Sequence, residues 1–289
     1  MSSYYQKINT LYKRDMTKPK KSIILGEYSE PEFEVLKDLK WEATEKIDGT
    51  NMSCCFHPGF RMIEVRGKTE NASIPTHLHK RMEELFQFDS LYKAFEVQTE
   101  TGEIVYPEKV EIFGEGYGLK IQKGGNYIKD HCDFILFDVR ILTSAGESLW
   151  LTREACEDIA KKLNLKIVPL IGYMTIKEAE DFVKAGFKSL IAENKDYIAE
   201  GLVLKAPCGL LNRRGKRIIT KLNIAITKIF NMRALNILVL LAIVLLLFLL
   251  IIVLIGYIMF KASIWLGVGY IMILIAIIIY LLYKQIEKY

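Results

Sequence analysis

The chain has 289 residues, of which 51% are hydrophobic and 25% charged, averages that are typical of globular proteins. The charges are unevenly spread, because only four charged residues follow position 233: Lys261, Lys284, Glu287 and Lys288. A charge-rich part joined to an almost uncharged one excludes a disordered chain, a fibrous repeat and a wholly soluble protein. The net charge of +5 is too small to indicate a nucleic-acid binder by itself.

Five cysteines occur, an odd number, and they form neither a CxxC pair nor a cluster with histidine. A disulfide framework and a zinc site are therefore not expected, and a reducing compartment fits best. The segment before residue 16 lacks an apolar stretch, so no cleavable signal peptide is predicted.

Apolar alternation predicts seven strands in the charge-rich part of the chain. They are Trp41–Ile47, Met52–His57, Arg61–Gly67, Lys109–Phe113, Phe134–Ile141, Gly201–Lys205 and Arg217–Leu222. Helical spacing predicts helices over His77–Phe95, Thr152–Leu163 and Thr175–Ala185. Because strands and helices are interspersed and short turns join several strands, we expect an α+β domain with mostly antiparallel sheets over residues 22–228. Residues 1–21 are expected to form a separate N-terminal segment.

Lys46 lies in the segment Glu45–Asn51, between two predicted strands. Asp48 and Gly49 form a strong turn signal, so Lys46 could be an ordinary solvated lysine beside a hairpin turn. By itself the segment is only a moderate indication of a reactive lysine. No P-loop and no GxGxxG motif opens a helix, so the two common nucleotide-binding motifs are not available.

Five more segments that combine glycine, charged and aromatic residues follow in chain order. They are Arg66–Asn71, Phe113–Gly118, Asp133–Asp138, Glu200–Lys205 and Arg217–Lys221. Each has an ordinary structural explanation on its own, such as a bend at Gly116 and Gly118. Their joint occurrence in one order favours a functional site.

With these segments the chain resembles the covalent nucleotidyltransferases, and within them the ATP-dependent RNA ligase family of bacteriophage type. The sequence KIDGTN is similar to that family's motif I, RGKT to motif Ia, GEGYG to motif III, FILFDV to motif IIIa and EGLVLK to motif IV. The strand that carries Lys221 is similar to motif V. Thr50 and Asn51 favour RNA ligases over DNA ligases and capping enzymes. The resemblance covers roughly residues 40–223 and implies a nucleotidyltransferase domain of the ATP-grasp-like adenylation type with antiparallel sheets.

The resemblance implies that Lys46 is the catalytic nucleophile, which attacks the α-phosphate of ATP and forms lysyl-AMP. A lysine amine attacks only in its neutral form, which burial and nearby cations favour. Lys205 and Lys221 are implied to hold the α-phosphate and to supply that positive charge. The substrate implied is RNA with 5′-phosphate and 3′-hydroxyl ends.

Other residues are implied to bind the rest of the nucleotide and its metal. Glu115 would accept hydrogen bonds from the ribose hydroxyls, and Arg66 would contact a phosphate. Phe134 would present a flat face to adenine, with Phe137 on the opposite face of the strand as the alternative. Glu200 would bind Mg²⁺ or Mn²⁺, which neutralises the pyrophosphate leaving group.

The nucleotide-binding set is completed by Glu45, Ile47 and Asn51 from motif I. Two positions depart from the family pattern. Asn223 stands where motif V usually has a second lysine, and Lys68 stands where many relatives have a second arginine.

Two alternatives to an RNA ligase remain open at this point. Asn223, together with the expectation that no added C-terminal domain follows the catalytic domain, favours a catalytically weakened, membrane-tethered RNA-binding protein. The other alternative is a ligase or adenylyltransferase for DNA ends or a small molecule. RNA specificity would come from the catalytic domain itself or from a protein partner.

The C-terminal part contains two uncharged stretches, residues 234–260 and 262–283. Each exceeds the roughly 20 residues that cross the hydrocarbon of a bilayer, and a helix apolar on all sides is either membrane-spanning or a buried core helix. We expect transmembrane helices over residues 234–255 and 263–283, joined by a turn at Gly256–Ser263. The basic residues before and after this hairpin predict a two-pass anchor in membrane lipid, with both termini and the catalytic domain in the cytoplasm.

Overall fold

A computed structural model describes residues 5–17, 22–69, 71–122, 127–143, 145–262 and 264–286. The chain divides into two compact units, Met1–Thr227 and Lys228–Tyr289.

The first unit is an α+β domain, as predicted. Its strands are β1 (Asn9–Thr10), β2 (Tyr12–Arg14), β3 (Ile23–Tyr28), β4 (Trp41–Lys46), β5 (Thr50–His57), β6 (Met62–Gly67), β7 (Val97–Gln98), β8 (Ile104–Val105), β9 (Lys109–Gly118), β10 (Cys132–Leu142), β11 (Ser148–Trp150), β12 (Lys166–Ile167), β13 (Leu170–Met174), β14 (Gly201–Lys205) and β15 (Ile219–Asn223). Its helices are α1 (Pro31–Val35), α2 (Thr76–Leu85), α3 (Phe88–Phe95), α4 (Arg153–Lys162) and α5 (Ile176–Ala185), with 3₁₀ turns at Pro58–Phe60 and Pro207–Gly209. The helices α6 (Ile224–Ala262) and α7 (Ile264–Ile286) follow.

Two sheets dominate the domain. In one, the strands lie in the order β11-β10-β9-β5-β6 with β12 beside β10, and in the other they lie in the order β1-β15-β14-β4-β13. The pairings are antiparallel except for β10 with β12 and β1 with β15. Lys46 ends a strand of one sheet and Thr50 begins a strand of the other, so the chain crosses between the sheets directly after Lys46.

One face of the six-stranded sheet packs against helices α2, α3 and α4 to form the larger core. The glycines of β9 belong to this face. A Cβ atom on Gly114 would lie 2.2 Å from Cζ of Phe134, and one on Gly116 would lie 2.5 Å from Cδ2 of Leu78. Because side chains alternate along a strand, glycines on this face place Glu115 on the other. Gly116 and Gly118, for which a bend was the alternative explanation, lie in the continuous strand β9.

The helix starts agree with the sequence signals. Thr152 accepts a hydrogen bond from the backbone N–H of Ala155, and Thr175 forms a capping box with Glu178. The single helix predicted over His77–Phe95 is wrong, because it is two helices, α2 and α3. The chain leaves the helical conformation at Phe86, whose side chain is buried.

Residues 1–21 were predicted to form a segment outside the domain, but part of this segment belongs to the five-stranded sheet. Strand β1 pairs in parallel with β15, with Thr10 opposite Lys221. The backbone N–H of Leu11 donates to the carbonyl of Lys221 at 3.2 Å, and the Leu11 side chain is fully buried.

The second unit contains the apolar helices. The turn predicted at Gly256–Ser263 is wrong, because α6 continues to Ala262; Ser263, where the second span was predicted to begin, lies outside the described residues. A Cβ atom on Gly256 would lie 2.6 Å from Cδ1 of Ile271. At Gly256, α6 and α7 therefore approach each other closely.

A stretch of 24 residues in α6, Leu238–Lys261, contains an 18-residue window with a mean hydropathy of 3.9 and is long enough to cross a membrane. In α7 the described apolar stretch is shorter, Gly269–Lys284. The first of the two predicted spans thus meets the length criterion, and the two-span arrangement stays a prediction.

Candidate active site

A cavity of about 420 Å³ receives side chains from both sheets and from the segment before β1. This volume is in the range of small-molecule sites. The cavity is lined by seven of the residues expected to bind or react with the nucleotide: Glu45, Lys46, Ile47, Asn51, Glu115, Lys205 and Lys221.

Strand register explains the wall formed by the five-stranded sheet. Val203 of β14 lies between Thr44 of β4 and Lys221 of β15, and all three line the cavity. In the next row Gly201 lies between Lys46 and Asn223. Side chains at every second position share a face, so this sheet presents Lys46, Lys205 and Lys221 together.

Lys46 contacts a carboxylate at the end of this wall. Its ammonium pairs with Oε2 of Glu200, and Nδ2 of Asn223 donates to Oε1 of the same carboxylate at 2.8 Å. A Cβ atom on Gly201 would lie 1.9 Å from the carbonyl oxygen of Leu222. Glycine is therefore required in the row between Lys46 and Asn223.

The connection after Lys46 is also closely packed. The backbone N–H of Asp48 donates to the hydroxyl of Tyr127 at 3.0 Å. A Cβ atom on Gly49 would lie 2.3 Å from the carbonyl oxygen of Gly116. Only glycine allows the turn to approach β9 in this way, which positions Lys46 near Glu115.

Glu45 and Ile47, the neighbours of Lys46, are both buried. Oε2 of Glu45 accepts a hydrogen bond from the backbone N–H of Leu190 at 2.9 Å. Burial raises the pKa of Glu45, while hydrogen bonds from Ser189 and Leu190 act against the rise. The carboxylate of Glu45 thus fixes the loop at Leu190, and Ile47 supplies an apolar part of the cavity wall.

The six-stranded sheet supplies the opposite wall. Asn51 of β5 lies directly across from Glu115 of β9. Burial raises the pKa of Glu115 to about 8, because desolvation outweighs the attraction of Lys46 and the negative charges of Glu200 and Asp48 add to the rise. Glu115 can therefore hold a proton near neutral pH in the free protein.

Phe134 does not line the cavity, so the expectation that it faces adenine is wrong. Its side chain is 1% exposed, lies in the core under α2, and has its ring centre 5.4 Å from that of Phe86. The register of β10 against β9 shifts between Leu136 and Asp138, at Phe137. Phe137, the stated alternative, lines the cavity.

Arg66 is a second expected nucleotide contact that lies elsewhere. Its guanidinium pairs with Glu64 on the same strand, and it is not among the residues that line the cavity. Lys68, two residues later, does line it. The basic side chain that motif Ia brings to the cavity is therefore Lys68.

Five lysines line the cavity: Lys7, Lys46, Lys68, Lys205 and Lys221. Burial, followed by the positive charges of Lys46 and Lys68, lowers the pKa of Lys221. This concentration of positive charge suits a polyphosphate.

Lys205 is held by a buried network beside the cavity. Its ammonium donates to Oδ1 of Asp138 at 2.9 Å and to the carbonyl of Phe137 at 3.1 Å. The guanidinium of Arg217 donates to both carboxylate oxygens of Asp138, at 3.1 and 2.9 Å. Although burial opposes it, the charges of Lys205 and Arg217 lower the pKa of Asp138 to about 2.

Sequence reasoning did not identify Tyr5, Gln6, Lys7 and Ile8, which also line the cavity. The Tyr5 hydroxyl donates to Asp138, and its ring centre lies 4.9 Å from that of Phe137. No local pattern marks these residues, because the pairing that places them joins positions 211 residues apart, as in Asn9 with Thr220.

The donor set fits a nucleotide-bound Mg²⁺ or Mn²⁺. No group of three or more His, Cys, Asp or Glu side chains able to hold a metal occurs in the described parts of the chain. Mg²⁺ is commonly held by one or two carboxylates together with substrate phosphates. Glu200, beside Lys46, is a carboxylate of this kind, with Glu115 on the opposite wall.

The sequence matches the family model described as RNA ligase over residues 39–222. No curated protein matches the chain significantly. RNA ligases of Naegleria gruberi are among the similar solved structures. A mutant with ATP and Mn is 22% identical with a TM-score of 0.49, covering 76% of this chain and 60% of that one. The ligase with PPi is 24% identical with a TM-score of 0.47, covering 67% and 52%.

The chain spans about half the length of the Naegleria ligases that it matches. The family model, by contrast, covers well over half of this chain and includes every strand of the cavity wall from β4 to β14. The chain belongs to the RNA ligase family.

Proposed function

We propose that the chain is an ATP-dependent RNA ligase of the bacteriophage type that works through a lysyl-AMP at Lys46. The observation that carries this proposal is the position of Lys46, which lies in a cavity in the size range of small-molecule sites with four further lysines and directly contacts Glu200. Family membership supports the same reaction class.

The first step is nucleotidyl transfer to the protein. The neutral amine of Lys46 attacks the α-phosphorus of ATP, a P–N bond forms, the bond to the bridging oxygen breaks, and pyrophosphate leaves. Lys68 and Lys221, which line the same cavity, supply positive charge to the phosphates of the nucleotide. Glu200, in contact with Lys46, is placed to hold the departing proton.

Two further transfers then seal the RNA. An oxygen of the RNA 5′-phosphate attacks the AMP phosphorus, the P–N bond breaks, and Lys46 is regenerated. The 3′-hydroxyl of the second end then attacks the 5′-phosphate phosphorus, and AMP leaves as the phosphodiester forms. Lys221 and Lys68 hold the phosphates near Lys46 in each step.

ATP is the expected nucleotide, with Mg²⁺ or Mn²⁺ as the metal. A Naegleria relative was solved with ATP and Mn. A metal bound at Glu200 would neutralise charge on the leaving phosphates. Phe137, which is half-buried and lines the cavity, offers an aromatic face for adenine, and Asn51 and Glu115 offer polar groups to the sugar.

We further propose that α6 and α7 anchor the ligase to membrane lipid, with both termini and the catalytic domain in the cytoplasm. The apolar stretch Leu238–Lys261 supports this anchor. Alkaline carbonate extraction of membranes from expressing cells tests it. The full chain should stay in the pellet, and its release to the supernatant would contradict the anchor.

The ligation reaction is tested with the full chain in detergent micelles. A 5′-phosphorylated RNA and an RNA with a 3′-hydroxyl, each held on a bridging strand, are incubated with ATP and Mg²⁺. Wild type and Lys93→Ala, which changes an exposed lysine on α3, should join the strands, and Lys46→Ala should not. Equal joining of DNA ends would indicate the wrong substrate class, and no joining by wild type would overturn the ligase assignment.

A further inference from the structure

A tight turn between the 3₁₀ turn at Pro207–Gly209 and β15 carries three exposed cations, Arg213, Arg214 and Lys216. Its ends are joined by a bridge between Leu211 and Arg217. Oδ1 of Asn212 accepts hydrogen bonds from the backbone N–H groups of Arg214 and Lys216, at 2.9 and 3.0 Å. The backbone of this basic turn, Asn212–Lys216, is therefore well fixed.

The basic turn forms one wall of a cavity of about 410 Å³, and Gln6, Lys7 and Asn9 form another. Among the residues that the structure describes, no acidic side chain forms an ion pair with Lys7, Arg213, Arg214 or Lys216. The cavity also has an acidic border, Glu30 and Glu32, and Glu30 accepts a hydrogen bond from Asn9 at 2.6 Å. Arg217 also lines the cavity and pairs with Asp138, so the other four cations face two carboxylates and the groove is net positive.

This groove adjoins the active-site cavity. Gln6 and Lys7 line both cavities. Nε2 of Gln6 donates to the carbonyl of Arg217 at 2.7 Å, which ties the N-terminal segment to the end of the basic turn. Cationic side chains thus continue from Lys221 in the active site, past Lys7, to the basic turn.

We propose that the groove between Lys7 and the basic turn binds the backbone phosphates of the RNA strand whose end occupies the active site. This inference rests on the proposed function. Guanidinium and ammonium groups contact backbone phosphates without reading sequence. The amides of Gln6 and Asn9 add donors and acceptors suited to the sugar. A concave groove continuous with the catalytic cavity suits a strand that leaves that cavity better than it suits a flat lipid surface.

The test measures binding of a fluorescent, 5′-phosphorylated single-stranded RNA to the full chain in detergent micelles over a range of KCl concentrations. The first variant is Arg213→Gln/Arg214→Gln/Lys216→Gln, which keeps Asn212. The matched control is Lys80→Gln/Lys93→Gln/Lys161→Gln, which removes the same charge from exposed positions on α2, α3 and α4. The basic-turn variant should lose at least about tenfold in affinity, and its salt slope should fall by about 2, since each single-strand phosphate contact contributes about 0.7. The control should bind like wild type.

Covalent AMP on wild type is measured in the same preparation and tests the proposed function separately. If wild type forms the AMP label but binds RNA with the same affinity and salt slope as the basic-turn variant, the groove is not an RNA site. Equal losses in both triple variants would also overturn the proposal, because the effect would then follow total charge. If the triple variant lacks a cooperative melting transition, Arg214→Gln and Lys216→Gln are measured singly, each with an expected slope change of about 0.7.

Discussion

Asn223 donates a hydrogen bond of 2.8 Å to Glu200, whose other carboxylate oxygen contacts the ammonium of Lys46. The family's motif V usually has a lysine at this position, and the change removes a positive charge from the cavity wall. The amide keeps a donor to Glu200 without that charge. Asn223 therefore orients the carboxylate that contacts the proposed nucleophile.

Replacing Asn223 with alanine should slow the formation of covalent AMP about tenfold or more, since a hydrogen bond to a charged group contributes about 1.5–3 kcal/mol. Asn223→Lys keeps a donor to Glu200 and adds a cation, so it should react at least as fast as wild type. Both rates follow from incubation with ATP labelled at the α-phosphate. Equal rates for Asn223→Ala and wild type would show that this hydrogen bond does not matter for the reaction.

Phe137 and Phe134 form a matched pair of aromatic residues on one strand. Phe137→Ala should weaken ATP binding by roughly tenfold, because stacking on a base is worth about 1–3 kcal/mol, and should have a small effect on stability. Phe134→Ala should lower the free energy of unfolding by about 3–5 kcal/mol, since it empties a buried core position. Thermal melting and the ATP dependence of AMP labelling separate the two effects. The reverse pattern would place adenine against Phe134.

The difference between these two residues shows where sequence reasoning reaches its limit. Alternation along the strand correctly predicts that Phe134 and Phe137 face opposite sides. It does not indicate which side is the cavity, because the register shift between Leu136 and Asp138 depends on the pairing of β10 with β9. The turn in motif I was easier to predict, because Asp48 and Gly49 are a local turn signal. The chain crosses from β4 to β5 at these residues.

Glu115→Gln should make stability less dependent on pH. The folded-state pKa of Glu115 is raised to about 8, so its ionisation disfavours the folded state as pH rises from the unfolded value of about 4.3 through about 8. The melting temperature of the variant should be close to that of wild type at about pH 5. It should exceed that of wild type by a growing margin as the pH is raised to about 9. Glu147→Gln, at an exposed position, is the control. A constant difference between Glu115→Gln and wild type over this range would contradict the raised pKa.

Asp138→Asn should destabilise the domain strongly, by about 3–5 kcal/mol, because it removes the negative charge shared by the buried Arg217 and the half-buried Lys205. Since Lys205 and Arg217 hold the pKa of Asp138 at about 2, its contribution is present above the unfolded value of about 3.9 and is lost as pH falls through about 2. The melting temperatures of wild type, Asp138→Asn and the control Asp130→Asn, which changes an exposed carboxylate, are compared at about pH 7. Similar small effects for both variants would mean that the network contributes little.

Contacts distant in sequence account for most of what the sequence did not predict. The hydroxyl of Tyr5 donates to Asp138, and β1 pairs with β15. No local sequence pattern predicts these contacts, because their partners lie far apart in the chain. Gly256 was predicted to begin a turn, but it lies inside α6. There its lack of a side chain allows Ile271 to approach closely. The seven predicted strands correspond to β4, β5, β6, β9, β10, β14 and β15, and the capped helices α4 and α5 were also predicted, because their signals lie within a few residues. The shorter antiparallel strands, such as β2, β3 and β11, were not predicted.

The most direct test of the account is covalent labelling at Lys46. The full chain in detergent micelles is incubated with Mg²⁺ and ATP labelled at the α-phosphate, beside Lys46→Ala and the control Lys93→Ala, and the labelled peptide is identified by mass spectrometry. Wild type and Lys93→Ala should carry one acid-stable AMP on the peptide that contains Lys46, and Lys46→Ala should carry none. Label that persists in Lys46→Ala, or label on another lysine of wild type, would contradict the central claim.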